Sequence, residues 1–286
     1  MNFRIHRKRV TRSFGGDMVI FVVLLAGAAF SALPLIYIVS NAFKPLNELF
    51  LFPPQFFVRN PTLDNFKDLL IIMADSWIPF SRYLFNTIFI TIVGTGGHVI
   101  FASMAAFVLS KHQFRGRKLF FTLVVFSLMF SQEVVAIPKY LTMTYLGWID
   151  HYAAIILPAW AMSLGLFLMK QFIDAMIPDT LLEAARLDGA SELRIFWQIV
   201  MPIVKPAWLT LTIYSFQELW RRFGGEFIYS EQLKTLPYAF NQIISGGIAW
   251  AGVSSAVALV MMGVPIIIFI INQSKVVETM ATSGLD

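Results

Sequence analysis

The chain has 286 residues, 57% of them hydrophobic and only 14% charged, with a net charge of +5 and a mean hydropathy of +0.70. A soluble domain is roughly 45–50% apolar and about 25% charged, so the composition excludes an ordinary soluble domain and points to a membrane protein. There is no cysteine, which excludes disulfides, thiolate metal sites and cysteine nucleophiles together.

The chain opens with "MNFRIHRKRVTRSFGGD" (residues 1–17), which holds five Lys/Arg and one acid. An apolar run from Met18 to Ser40 follows. It is too long for a cleavable signal core of about 7–15 residues, so an uncleaved first span is expected. Crossing a bilayer core takes about 20 mostly apolar residues. Five further runs meet that length: Tyr83–Ser110, Leu119–Ile137, Tyr152–Phe172, Ala207–Phe223 and Ala251–Asn272. Continuous runs predict helices and not a barrel, whose strands alternate in segments of about ten. Pro34, Pro158 and Pro265 fall inside spans, where neighbouring helices can satisfy the freed backbone groups. The expected fold is therefore all-α, a polytopic membrane protein of six transmembrane helices forming one domain over residues 1–286.

Loop charge sets orientation. The N-terminal segment and "KHQFRGRK" (Lys111–Lys118) are strongly basic, whereas the 41–82 loop balances four bases with four acids. Basic segments stay in the cytoplasm, so N-in, C-in is expected. Loops 41–82 and 224–250 then lie outside, and a short helix is expected from Asp64. By parity the 174–206 loop lies inside, although its own charge is nearly balanced.

That inner loop contains "EAARLDGASELRIFWQIVMPIVKPA" (Glu183–Ala207). Pro178 and Asp179 suit the first turn of a helix. Gly189 suits a left-handed stop and Ser191 a second N-cap. Leu193, Phe196, Ile199 and Val200 recur at helical spacing, and Pro202 is expected to end the second helix. Glu183, Arg186 and Asp188 give the first helix a charged surface, and Ala184 and Ala185 admit a close neighbour. A DNA-reading helix-turn-helix would need a basic surface, so nucleic acid is excluded. An interfacial amphipathic element and a docking element for a cytoplasmic protein remain.

"EAARLDGA" followed by "IVMP" resembles the EAA loop of ATP-binding-cassette importer permeases. The matching positions are Glu183, Ala184, Ala185, Gly189, Ile199 and Pro202; Met201 stands where the pattern usually has leucine. "NAFKPLNELF" and "NTIFITIVGTGGHVIFASMAAFVLSKHQFRG" are similar to the carbohydrate branch, and to the second permease of its maltose-type group. The resemblance implies a multi-pass protein of a bacterial or archaeal cytoplasmic membrane. It pairs with a sister permease, sits on two ATP-binding-cassette ATPase subunits, and receives carbohydrate from an extracytoplasmic solute-binding protein. It also implies that Glu183 meets a basic residue in a cleft of the ATPase, with Ala184 and Ala185 packed closely and Gly189 making the turn. The chain ends "NQSKVVETMATSGLD", without the glycine-rich basic tail of many relatives.

No G-x-x-x-x-G-K-[ST] phosphate loop is present, and "GTGGH" (Gly94–His98) lacks the lysine and hydroxyl. This chain is accordingly expected to be no enzyme: no catalytic residues, no metal, and no cofactor of its own, with ATP and Mg bound by the partner ATPases. The glycines of "GTGGH" suit close helix packing, and His98 a hydrogen-bonded packing role. Gln132 and Glu133 either line the path or mark a break in span three. In "YSFQELWRRFGG", Gln217, Glu218 and Trp220 offer hydrogen bonds and a stacking face for a sugar. Arg221 and Arg222 suit a carboxylate, as in a uronate oligomer, or else pair with Glu218 one turn back. The reading is a non-hydrolytic importer permease for a carbohydrate, an oligosaccharide in preference to a monosaccharide. Its competitors are an importer permease for a non-sugar solute and an ion-coupled secondary transporter.

Overall fold

A computed structural model describes residues 14–74, 78–247 and 250–282. Residues 1–13 of the basic N-terminal segment lie outside them. All regular structure among the described residues is helical: α1 (Phe14–Ala42), α2 (Leu46–Leu49), α3 (Asp64–Ala74), α4 (Phe80–Lys111), α5 (Arg117–Ser127), α6 (Gln132–Tyr145), α7 (Ala153–Trp160), α8 (Ser163–Met176), α9 (Asp179–Leu187), α10 (Glu192–Ile195), α11 (Met201–Ile203), α12 (Lys205–Trp220), α13 (Leu236–Ile244) and α14 (Ala251–Thr282). The short helix foreseen at Asp64 is α3.

Four stretches are long and apolar enough to cross a membrane: Gly15–Ala42, Phe80–Lys111, Ala153–Met176 and Ala251–Asn272. A fifth is bent, Glu192–Ile203 meeting Lys205–Trp220 at 82°. The run expected as a continuous third span is instead two helices, α5 and α6, of 11 and 14 residues. Helix-start chemistry inside the apolar run explains the break. Ser131 takes the extended conformation of an N-cap (φ −73°, ψ 155°) and Glu133 falls in the first turn. The fourth run is interrupted at Ala161–Met162, just after Pro158.

By its contacts the chain divides into a smaller unit, Met1–Leu69 with Gly247–Leu259, and a larger one, Leu70–Gly246 with Val260–Asp286. In the smaller unit α1 exposes apolar side chains such as Phe21 and Phe30, as a helix meeting lipid or another subunit does. The turn after it is fastened by two buried charges. The Lys44 ammonium donates to Asn41 Oδ1 (2.7 Å) and the Gln55 carbonyl (2.5 Å). The Glu48 carboxylate accepts from the amides of Arg59 (3.0 Å) and Asn60 (2.9 Å); these bonds, Arg59's foremost, hold its pKa below the usual carboxylate value.

In the larger unit α4 packs against α7, α8 and α12. Its small residues let the helices close: a Cβ on Gly97 would overlap the Trp160 indole, whose Nε1–H donates to the Val93 carbonyl (3.1 Å). His98 is fully buried. Its Nε2 faces the Met162 carbonyl (3.2 Å) at the α7–α8 break, and its Nδ1 meets the Ser215 hydroxyl of α12. A carbonyl only accepts, so Nε2 carries the proton and Nδ1 accepts from Ser215. The imidazole thus ties the α7–α8 break to α12 through hydrogen bonds that lipid could not supply. The packing role expected for His98 is the one observed.

Gly165 faces that ring, and a Cβ there would overlap the imidazole and crowd Leu211. Gly165→Ala is therefore expected to destabilise the detergent-purified protein by about 1–3 kcal/mol, as overpacking a close-packed interior does, and to lower its melting temperature. Gly96→Ala, on the same helix as His98 but with nothing within 4 Å of its Cβ, should leave the melting curve unchanged.

Candidate functional site

Two parts of the larger unit carry functional character: a platform built by α9 to α11, and a cavity beside α12.

The platform starts where Pro178 holds extended backbone (φ −70°, ψ 144°) and Asp179 opens α9. Leu182, 1% exposed, is driven into the core beside Ile173, Ile177, Ile195 and Phe196. Burying such a side chain contributes about 1.5–3 kcal/mol. Gly189, at φ +79°, ends the helix in the left-handed region. The Ala190 amide bonds to the Ala185 carbonyl (3.0 Å) and the Gly189 amide to that of Arg186 (3.0 Å), which is the paired closure of a Schellman stop. Ser191 Oγ then accepts from the Arg194 amide (3.4 Å). Both glycine stop and serine cap fall where the sequence placed them.

Pro202 does not end the second helix. A π turn, Phe196–Val200, absorbs the proline's missing donor, with Met201 N–H reaching the Phe196 carbonyl, and the chain runs on to Ile203. The sharp bend falls at Val204, where Trp208 Nε1–H caps the Met201 carbonyl (3.0 Å).

Side chains fasten the platform to α4 and lock its two helices. Lys111 Nζ, on a side chain 7% exposed, donates to the Ile177 carbonyl (2.6 Å) and to Asp179 Oδ1 (2.7 Å). The Arg186 guanidinium bridges to Glu192 (2.7 Å), which also meets His112 (3.1 Å). Lys111 holds the Asp179 carboxyl, and Arg186 that of Glu192, below their ordinary values. For depressed carboxylates the stabilisation is present above the unfolded pKa and is lost as pH falls through the folded one. Both pairs therefore persist at neutral and mildly acidic pH. Outward the platform shows Glu183, Ala184, Asp188 and Gly189 with Leu187 (89% exposed), Leu193 and Trp197, whereas Ala185 packs inward on the core.

The cavity encloses about 570 Å³ between the α5–α6 break, the α7–α8 break and the C-terminal half of α12. Polar groups on its wall are Ser127, Lys139, Thr142, Ser163, Tyr214, Glu218 and Arg222; Phe130, Pro138 and Met162 are among the apolar ones. Of the residues singled out by sequence, Glu218 and Arg222 are on the wall. Glu133, Gln217 and Arg221 are exposed but off it. The Gln132 side chain lies outside the described ones. Trp220 offers no stacking face in this chain: it is 5% exposed, stacks on Phe216, and donates Nε1–H to the Met261 carbonyl (3.1 Å). Glu218 pairs with Arg221 at 2.7 Å and lies 3.8 Å from Arg222. Lys139, Thr142 and Tyr214 went unmarked in the sequence, because their convergence depends on where the two spans break.

A family model described as "binding-protein-dependent transport system inner membrane component" matches residues 98–278. Protein LplC of Bacillus subtilis is 34% identical over 230 residues, covering 79% of this chain and 73% of its own. The polygalacturonan/rhamnogalacturonan transport system permease protein YtcP of the same organism is 31% identical over 213 residues, covering 74% and 72%. In fold, the chain is similar to a bacterial ABC transporter involved in the import of the acidic polysaccharide alginate, with a TM-score of 0.77, 24% identity, and coverage of 92% of this chain and 98% of that one. With its EAA-type platform and a family match over more than half its length, the chain belongs to the binding-protein-dependent transport system inner membrane components.

Proposed function

We propose that this chain is a permease subunit of an ABC importer that carries an oligosaccharide, acidic in character, across the cytoplasmic membrane of a bacterium. The observation that carries the reading is the platform: a rigid helix–turn–helix, tied to the transmembrane core through Leu182 and Lys111, that leaves Glu183, Leu187 and Trp197 outward with nothing to cover them. An element merely lying on lipid would turn its apolar face outward and keep its charges off it. Here Glu183, Asp188 and Leu187 share the open surface, which suits a protein groove. The acidic character is supported by the cations on the cavity wall and by the similarity to YtcP, a polygalacturonan/rhamnogalacturonan transport system permease protein.

In this reading α5 and α6 together make the third crossing, so the chain spans six times with both ends inside, as a single membrane domain. Loop charge alone cannot place the nearly neutral platform. The Lys111–Asp179 bond fastens it beside the basic Lys111–Lys118 segment, which supports a cytoplasmic position. One of two ATPase subunits grips the platform through Glu183, Ala184, Arg186, Asp188 and Gly189, and the pair supplies ATP and Mg. Their closure moves it, and the chain rocks against a sister permease between inward- and outward-facing states. The loops at 41–82 and 224–250 face a solute-binding protein outside. Gln217, Glu218, Arg221 and Arg222, with Gln132 and Glu133, lie along the path at or near the cavity. Such a cycle works only if ATP and solute bind the two states with different affinity.

Gentle solubilisation of tagged protein from its own membrane should bring down an ATPase and a second permease. Glu183→Lys should lose the ATPase while keeping the second permease, and Lys118→Gln, on the basic loop, should keep both. Co-purification of the ATPase with Glu183→Lys at the wild-type level contradicts the reading.

A further inference from the structure

Resting on the oligosaccharide-import reading above, we propose that Lys139 and Arg222 form a two-point anion site on the cavity wall that selects sugars bearing carboxylates. Three observations lead there. Lys139 is half-buried, its ammonium lies over the Phe227 ring at 5.4 Å from the centroid, and among the described residues it makes no ion pair and no hydrogen bond. Glu226, one residue before that ring, is not within ion-pair distance of it. Arg222 faces the same cavity from the turn after α12, and its guanidinium makes no hydrogen bond among the described residues. Its one acid, Glu218, stands at 3.8 Å because that carboxylate is held at 2.7 Å by Arg221 from outside the cavity. Three cations thus share a region with Glu218 and Glu226, and the two that face the cavity are the two less closely paired: Arg222 keeps only the 3.8 Å contact with Glu218, and Lys139 only the longer-range attraction of Glu226.

Partly buried charge without a partner is costly, and costs less once a counter-charge arrives. The geometry suits a carboxylate. Arginine offers a planar fork that takes both oxygens, and lysine a compact ammonium that takes whichever lone pair remains. The neutral wall suits the rest of a sugar. The Tyr214 hydroxyl has no partner among the described residues, and Thr142, whose proton goes to the Pro138 carbonyl (2.8 Å), keeps its lone pairs free to accept. Phe130 and Pro138 offer apolar surface. The volume falls within the roughly 300–1,000 Å³ of small-molecule sites. Arg221, 74% exposed, takes Glu218 Oε2 at 2.7 Å and leaves Arg222 the longer 3.8 Å contact with Oε1, which makes it a positioning residue.

The test uses the assembled importer in proteoliposomes with its solute-binding protein. It is offered oligogalacturonate and alginate oligomers, each beside its carboxyl-reduced neutral counterpart. Wild type should carry the acidic member of a pair in preference. Lys139→Gln and Arg222→Gln should each reduce that uptake by about 10- to 100-fold, the loss of one charge-assisted hydrogen bond, and bring acidic and neutral uptake level. Lys139→Arg should restore most of the preference. Equal uptake of both members by wild type overturns the inference, as does an unchanged preference in Lys139→Gln. Loss of the sister permease from Lys139→Gln on purification would overturn it too, assigning the cation to the subunit interface. Failure to carry any oligosaccharide, acidic or neutral, sinks the sugar-import reading itself and the anion site with it.

Discussion

The larger unit depends on one helix and the polar side chains that leave it. In a lipid-facing bundle apolar surface gives little preference for one neighbour over another, so interhelical hydrogen bonds and close packing decide the arrangement. On α4 such bonds come at three levels. Near its start Asn86 donates to the Gln232 and Lys234 carbonyls (2.9 and 2.8 Å) and accepts from the Tyr152 hydroxyl (2.7 Å), while Thr87 Oγ1 accepts from the Leu236 amide (2.7 Å). At mid-height His98 joins α8 to α12. At its end Lys111 seizes the platform. Gly94 and Gly97 allow the approach that brings these groups within reach.

This arrangement links platform and cavity mechanically. Leu182, Ile195, Phe196 and Val200 of the platform share one cluster with Val99, Met169 and Leu211 of α4, α8 and α12. A push on the platform is therefore felt by α8 and α12, which also line the cavity. Close-packed interiors transmit such displacement because they have few voids in which to absorb it. The discontinuities in α5–α6 and α7–α8 lie beside the cavity, where irregular backbone at membrane depth is tolerated and where polar groups become available to a solute.

Much of this was legible in the sequence, for physical reasons. Helical content and four of the spans follow from apolar run length alone. The Gly189 stop and Ser191 cap are local chemistry, readable from a few residues. The breaks were harder. Leu119–Ile137 is apolar enough to read as one helix, and only the Ser131–Glu133 start signal argues otherwise. Pro202 reads as a terminator unless a π turn absorbs its missing donor. Lys111 counted as one charge in a basic loop, although its bond to Asp179 spans 68 positions of sequence. Lys139 went unmarked for the same reason: its setting is assembled by tertiary structure. Trp220 reads as an exposed aromatic beside two arginines, yet its indole is spent on packing.

The central claim is that the Glu183–Gly189 surface lies in the cytoplasm and is covered by an ATPase. The chain has no cysteine, so a single Leu187→Cys variant reports on that surface alone. A membrane-impermeant maleimide should label it in inside-out vesicles stripped of peripheral proteins, leave it untouched in intact cells, and be blocked once purified ATPase is added back. Labelling in intact cells, or labelling that the returned ATPase does not reduce, would contradict the account.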